Sequence, residues 1–209
     1  MTERISILGR GKAGRALAAA LGDRAALHPH TATVEGAVLL AVPDHAIEEV
    51  AGPYLGRCAH MSGSLHLPTV PCAHPLTSFD GHAGDWSGTP LALTGDVPPA
   101  ITGALEALGF ASFELPAEHK ALYHAAAVLT SGHAASLWLG AHDLLSRAGV
   151  ELPGEGLWPL ARATLDNVRR RGAAGKTGPF VRGDRETIDR DAAALPPPWR
   201  EVFLKLGEL

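Results

Sequence analysis

The chain has little of what marks several common functions. Cysteine occurs only as Cys58 and Cys72, without a CxxC pair, so both are expected to be small buried residues rather than disulfide partners or ligands. Lys and Arg form no stripe beyond Arg169-Arg170-Arg171, and the net charge is -4. A nucleic-acid partner is therefore not expected, since no basic field is present to attract phosphates. No apolar run reaches membrane-spanning length, and MTERISILG leads directly into a strand-like segment without a signal peptide. A cytoplasmic protein with no membrane partner is the expectation. The hydrolase elbow G-x-S-x-G is missing. The 11 histidines include no HExxH, and neither His119 and His124 nor His60, His66 and His74 form a known ligand set, so no metal site is expected.

What is present is a parallel-sheet pattern followed by a helical one. In the first half, short aliphatic runs alternate with helix patterns, as in a sheet with crossover helices. Arg4 to Leu8 reads as a strand, Lys12 to Leu21 as a helix, and Ala37 to Val42 as a central strand covered on both faces. Further strands are expected at Arg57–His60, Val70–Ala73, Pro90–Thr94 and Ala111–Leu115, with helices after Pro43-Asp44 and near Pro98–Leu108. Pro116 and Glu118 suit the start of a helix that runs to about Ala148, where Gly149 ends it. Helices at Leu157–Arg171, Arg185–Ala194 and Trp199–Leu206 follow. The fold class predicted is α/β, a truncated Rossmann-type, mostly parallel sheet domain over 1–115. An all-α domain over 116–209 follows, entered by a long inter-domain helix.

Gly9-Arg10-Gly11-Lys12-Ala13-Gly14 matches G-x-G-x-x-G directly between a strand and a helix. There the first glycine permits the turn, the second lets a pyrophosphate approach the backbone, and the third lets helix and strand pack closely. The helix amides beyond it would bind the phosphates. Only Gly22–Glu35 separates the first helix from the next central strand, where a full nucleotide-binding half needs more elements. The expected remnant is a short strand, Arg24–Leu27, followed by His28-Pro29-His30-Thr31 where the adenosine ribose is read. Glu35 stands about the right distance along the chain but begins the next strand. With no carboxylate at the strand end, Arg10, His28, His30 and Thr31 are available to a 2′-phosphate, which favours NADP over NAD. Val42 and Pro43 are placed beside the cofactor, and Asp44 as a helix cap.

The stretches ILGRGKAGRALA, LLAVPDHAI, HMSGSL, AHPLTSF, LPAEHKALYHAAAVLTS, ARATLDNV and TGPFVRGD resemble the short-sheet dehydrogenases with a helical second domain. That group includes 6-phosphogluconate and β-hydroxyacid dehydrogenases, ketopantoate reductase, pyrroline-5-carboxylate reductase and prephenate dehydrogenase. Within it the chain is similar to a bacterial family described as a Rossmann-like domain followed by a helical domain of unknown function. Two departures stand out, the shortened segment after the first helix and Gly132-His133 where relatives have Asn-Tyr. In the β-hydroxyacid dehydrogenases a Lys on the long helix is followed four residues later by Asn, both facing the nicotinamide. Lys120 and His124 match that spacing, which implies that they handle the proton that accompanies a hydride. An imidazole titrates near ~6.5 without tuning.

His74, at a strand end before Pro75, is implied to line the pocket and hydrogen-bond the substrate, as the resembling families keep His-Pro there. Ser62, in the Ser62-Gly63-Ser64 turn, offers hydroxyls or amides to a substrate carboxylate. Ser131 falls on the same helical face as Lys120 and His124, and Arg182 could clamp an anion in a bidentate manner. The expectation is an NADP(H)-dependent oxidoreductase, NAD being the second choice, acting on a small polar, carboxylated or uncarboxylated substrate. It is expected to be a homodimer through its helical domain. The alternative is a non-catalytic dinucleotide- or ligand-binding protein on the same fold.

Overall fold

Strand β1 (Ile5–Leu8) is buried along its whole length, as the middle of a parallel sheet requires. The computed structural model describes residues 4–209. In chain order β1 is followed by α1 (Lys12–Leu21), β2 (Ala25–His28), β3 (Val38–Leu40), α2 (Asp44–Ala51), β4 (Cys58–His60), β5 (Cys72–Pro75), β6 (Pro90–Thr94), α3 (Pro99–Glu106) and β7 (Ala111–Glu114). They form a 7-stranded sheet in the order β2-β1-β3-β4-β5-β6-β7. Strands β1 to β5 run parallel, β6 turns back against β5, and β7 follows β6 in parallel. The mostly parallel, Rossmann-like sheet expected from the sequence is thus the one present.

Side chains alternate across the sheet and build two cores. Ile5, Ile7 and Leu39 pack with Leu17 of α1 and with Ile101 and Leu105 of α3. Leu8, Val38 and Leu40 pack with Ile47 of α2 and with Tyr54 and Cys58. Cys58 is therefore a core residue, and both thiols are free and buried.

The chain topology reverses between β1 and β3: β2 lies on one side of β1 and β3 on the other. In open α/β sheets such a reversal leaves a crevice at the carboxyl ends of the strands. The segment 29–37 crosses from β2 to β3 without a helix or strand. It can do so because β1 is only 4 residues long, about 13 Å, and β2 and β3 lie about 10 Å apart. Nine extended residues reach about 30 Å. Two side chains from beyond β3 hold this bare segment. Tyr54 Oη donates to the Ala32 carbonyl at 2.7 Å and Arg57 Nη2 to that of Val34 at 3.0 Å, while the Arg57 guanidinium lies over the Tyr54 ring.

Strand β5 is displaced along the sheet. It shares one register pair with β4, Cys72 opposite His60, so it begins where β4 ends and carries His74 and Pro75 past that edge. The sequence placed this strand two residues earlier, at Val70–Ala73. Val70 instead closes an isolated bridge with Leu67.

After β7 a short 3-10 turn (Ala117–His119) leads into α4 (Lys120–Val128), a π-helical turn (Leu129–His133) and α5 (Ala134–Arg147). The helix stops where predicted: Gly149 takes a φ of +73°, and Val150 N–H returns to the Leu145 carbonyl at 2.9 Å. The π-turn inside it was not predicted. Two compact units divide within α5, after Ala135, whereas the sequence reading drew its boundary where the helical pattern begins, after Leu115. The second unit, Ser136–Leu209, adds α6 (Trp158–Arg171), α7 (Pro179–Arg182), α8 (Arg185–Ala194) and α9 (Pro197–Gly207). Among its apolar side chains only Ile188 and Ala192 are buried. No helix among the described residues is long and apolar enough to cross a membrane.

Candidate functional site

The glycine loop sits at the topological reversal. Gly9 has a φ of +120°, and a Cβ there would overlap the Ala41 backbone, just as a Cβ on Gly14 would overlap the Gly9 carbonyl. These two glycines are demanded by the fold. Gly11 is different, because nothing lies within 4 Å of where its Cβ would stand. Packing does not require it, and its bareness leaves the helix N-terminus open. Gly11 caps α1, whose first turn holds no acidic residue and includes Lys12, so the site suits an anion.

His28 ends β2 opposite Leu8, and its carbonyl accepts from Gly9 N–H at 3.0 Å. It stands next to the loop with no carboxylate at the strand end, while His30 and Arg10 are exposed. Glu35 lies at the other edge, its carbonyl near Ser6 at the level of the β3 start. These residues fit a dinucleotide with its pyrophosphate on α1.

At the ends of β3, β4 and β5 the polar side chains form a connected network. Ser62 Oγ donates to Asp44 Oδ2 at 2.8 Å and accepts from Leu65 N–H at 3.0 Å. Asp44 therefore holds the Ser62 turn and makes no side-chain cap on α2, contrary to the capping role read from the sequence. His60 is fully buried and its Nδ1 accepts from Ser62 N–H at 3.1 Å. Lys120, 1% exposed, donates to the Ser62 carbonyl and to Cys72 Sγ, each at 3.0 Å. It is a rivet between α4, the Ser62 turn and β5.

Above the rivet lie three aromatic groups. His74 Nδ1 meets Tyr123 Oη at 3.0 Å, and the His124 ring is 6.3 Å from that of His74. Gly63 lies against both imidazoles: a Cβ there would come within 2.6 Å of His124 Cδ2 and 2.9 Å of His74 Nε2. Burial, then the positive field of Lys120, push His74 down to about 4, against a weaker opposing pull from Asp44. The same two causes, in the same order, push His60 down to about 4. Burial pushes Tyr123 up to about 12. His74 and Tyr123 thus meet as a neutral pair.

Two cavities open beside this pair. One, about 220 Å³, is lined by Ala13, Ala41, Val42, Ser62, His74 and Phe79 among others, and so runs from the start of α1 along the strand ends. The other, about 400 Å³, is lined by His74, His124, Val128, Thr130 and Ser131 among others. His74 and Thr77 line both. The structure thus gathers Ala13, Val42, Ser62, His74, His124 and Ser131 around two adjoining spaces. Lys120 lines neither. Arg182 belongs to the second unit, on α7, where it faces Asp184 at 4.0 Å. No group of three or more potential metal ligands occurs among the described residues.

Asp44, expected at the sheet edge with Val42 and Pro43, completes the site together with Tyr123 and Thr77, which were not singled out from the sequence. The clue for Tyr123 was its place between Lys120 and His124, but its hydroxyl needed β5's displacement to find a partner. Thr130 and Ser131 line the larger cavity from the π-turn, a feature that often marks functional sites.

The sheet order, the glycine loop at its reversal and the helical region that follows in the chain define a Rossmann-like protein with a helical C-terminal part. Residues 90–209 match the domain of unknown function DUF2520, and the chain belongs to that family. Similar solved structures cover nearly all of it. Protein TM1727 from Thermotoga maritima is 22% identical with a TM-score of 0.76, over 98% of this chain and 95% of that one. BF3122 from Bacteroides fragilis, an NADP oxidoreductase by assignment, is 18% identical with a TM-score of 0.77, over 99% and 96%. A reductive aminase from Aspergillus terreus, solved with NADPH and ethyl levulinate, is 15% identical with a TM-score of 0.68, over 100% and 92%. No curated protein matched. At these identities the likeness is one of fold.

Proposed function

We propose that the protein is an NADP(H)-dependent oxidoreductase that moves a hydride to or from a small polar substrate. The observation that carries this reading is the pair of adjoining cavities sharing His74 and Thr77, one of them reaching the start of α1 at the sheet's topological reversal. Two proteins of similar fold, by name an NADP oxidoreductase and a reductive aminase, support it. So does the similarity to the 6-phosphogluconate and β-hydroxyacid dehydrogenase group.

Gly9, Arg10, Gly11, Lys12, Ala13 and Gly14 hold the pyrophosphate. Arg10, His28 and His30 read the 2′-phosphate, and Val42 and Pro43 flank the nicotinamide end. When bound, the nicotinamide supplies or accepts the hydride. His124, facing the larger cavity, moves the accompanying proton. His74 is a neutral imidazole that hydrogen-bonds the reacting oxygen or nitrogen. Lys120 serves both from behind, by pinning the Ser62 turn and β5 and by adding its positive field to the burial that keeps His74 uncharged. We further propose that the protein works in the cytoplasm as a homodimer through its helical region.

Fluorescence titration with NADPH and NADH tests the reading. NADPH is expected to bind, and more tightly than NADH; binding of neither overturns the proposal. The rival, a dinucleotide-binding protein without catalysis, is favoured by the bare segment 29–37. It wins if NADPH binds while no carbonyl or imine is reduced.

A further inference from the structure

The larger cavity carries information about its substrate, given the oxidoreductase reading above. None of its lining residues is Lys, Arg, Asp or Glu, although it sits beside a network that holds both Lys120 and Asp44. Lys120 is enclosed behind the cavity with two of its N–H groups given to Ser62 and Cys72. Asp44 is bound to Ser62 Oγ, which also removes that hydroxyl's proton from reach of an anion. Leu76, Ala127 and Val128 supply apolar wall.

The hydroxyls of the π-turn are polarised in one sense. Ser131 Oγ donates to the Ala127 carbonyl at 2.6 Å. Thr130 Oγ1 donates to the carbonyls of Ala126 and Ala127 at 3.0 and 3.2 Å. A hydroxyl has one proton, and each of these spends it on the helix. What remains toward the cavity is lone pairs. That wall accepts hydrogen bonds and repels carboxylate oxygens. His74, which also lines this cavity, meets Tyr123 Oη through Nδ1; in the tautomer that carries the proton on Nε2, Tyr123 donates to Nδ1 and Nε2–H is a donor suited to a carbonyl oxygen or imine nitrogen.

We propose that this site takes an uncharged ketone, aldehyde or imine that carries a second group with an O–H or N–H donor, and that it selects against carboxylated substrates. The reacting C=O or C=N meets His74 and the remote donor meets Ser131 and Thr130. In the reduction direction a hydride from the nicotinamide adds to the carbon, and the C=O or C=N π pair takes up a proton on oxygen or nitrogen through His124. The products are an alcohol or amine and oxidised cofactor, with solvent restoring the proton. The carboxylated option read from the sequence is thereby set aside for this cavity.

The test compares three ring ketones of similar size with NADPH: 4-hydroxycyclohexanone, cyclohexanone and 4-oxocyclohexanecarboxylate. Turnover is followed by NADPH consumption, and binding to the NADPH-loaded protein by saturation-transfer NMR. The hydroxy-ketone should exceed the carboxylate in kcat/KM by at least ~10-fold, and the plain ketone by a few-fold, because a lost hydrogen bond and an unpaired charge each count at this level. Ser131→Ala, checked for its fold by circular dichroism, should erase the advantage of hydroxy-ketone over plain ketone. Ser131→Lys should raise the carboxylate toward the hydroxy-ketone. Equal or better use of the carboxylate by the natural protein, or an advantage that survives Ser131→Ala, overturns the proposal. Failure of all three ketones to bind a protein that does bind NADPH overturns the substrate class alone. Failure to bind NADPH overturns the oxidoreductase reading beneath it.

Discussion

At the residue scale, the site depends on a glycine outside the G-x-G-x-x-G loop. Gly63 has ordinary backbone geometry, so its bareness serves the two imidazoles packed on it. Gly63→Ala should push His74 and His124 apart, cost about 1–3 kcal/mol of stability, and lower turnover by more than ~10-fold if a displacement near 1 Å matters as it does elsewhere. NADPH affinity should hold, and a titration beside the steady-state assay separates the two effects. Lys120→Met tests the rivet. With the positive charge gone, one cause of the lowered His74 value disappears, so its titration followed by NMR should move upward from about 4.

Burial of His60 and His74 also sets a pH dependence. Both are held near 4 in the folded protein and titrate near ~6.5 when unfolded. Between those values the unfolded chain binds more protons, so the stability these neutral rings contribute is complete above about 6.5 and drains away as pH falls toward about 4. Urea midpoints should be flat from pH 8 to 7 and fall steadily from pH 6 to 4.5. His60→Asn should flatten that fall, and an unchanged slope would show that the burial described for His60 does not govern it.

At the element scale, the three motif glycines have different duties. Gly9 and Gly14 are where β1, α1 and the end of β3 come into contact, and alanine at either should lower the melting temperature. Gly11→Ala meets no neighbour; it should leave the melting temperature nearly unchanged and weaken NADPH binding by at least ~10-fold, because its methyl stands where the pyrophosphate approaches. Equal binding by the Gly11→Ala protein would remove this loop as the phosphate site. The segment 29–37 shows how a Rossmann-like half closes without its usual crossover helix: short strands make the crossing short, and Tyr54 and Arg57 hold it.

For the whole molecule, the apolar surface of the helical unit is unspent. Leu160 and Leu165 of α6 are 67% and 66% exposed, and α5, α6 and α9 contain no buried residue. A unit of this size needs more burial than it finds within itself, and a second copy of the chain is the proposed cover. Light scattering after size exclusion should give twice the chain mass, and Leu160→Glu with Leu165→Glu should give the single mass; a monomeric natural protein would refute the dimer.

The sheet, the glycine loop, the long helix and its Gly149 stop were legible because each follows from local rules: apolar runs, turn glycines and helix periodicity. His124 and Ser131 were legible as polar residues on one face of an apolar helix, Ser62 as part of a turn after a strand, and His74 from the His-Pro that the resembling families keep. Three matters were not. The displacement of β5 that brings His74 to Tyr123 depends on pairing between strands distant in sequence. The π-turn adds a residue to a helical turn in a stretch, LTSGH, whose weak helix formers do not by themselves mark where an extra residue is inserted. The fate of Lys120, spaced correctly for catalysis yet enclosed between a carbonyl and a thiol, follows from where three separate elements meet. Residue types and spacing determined which groups this protein could bring to a site; only tertiary packing decided which of them face the open cavities and which are consumed in holding the others, because hydrogen-bond partners and burial are properties of the assembled chain.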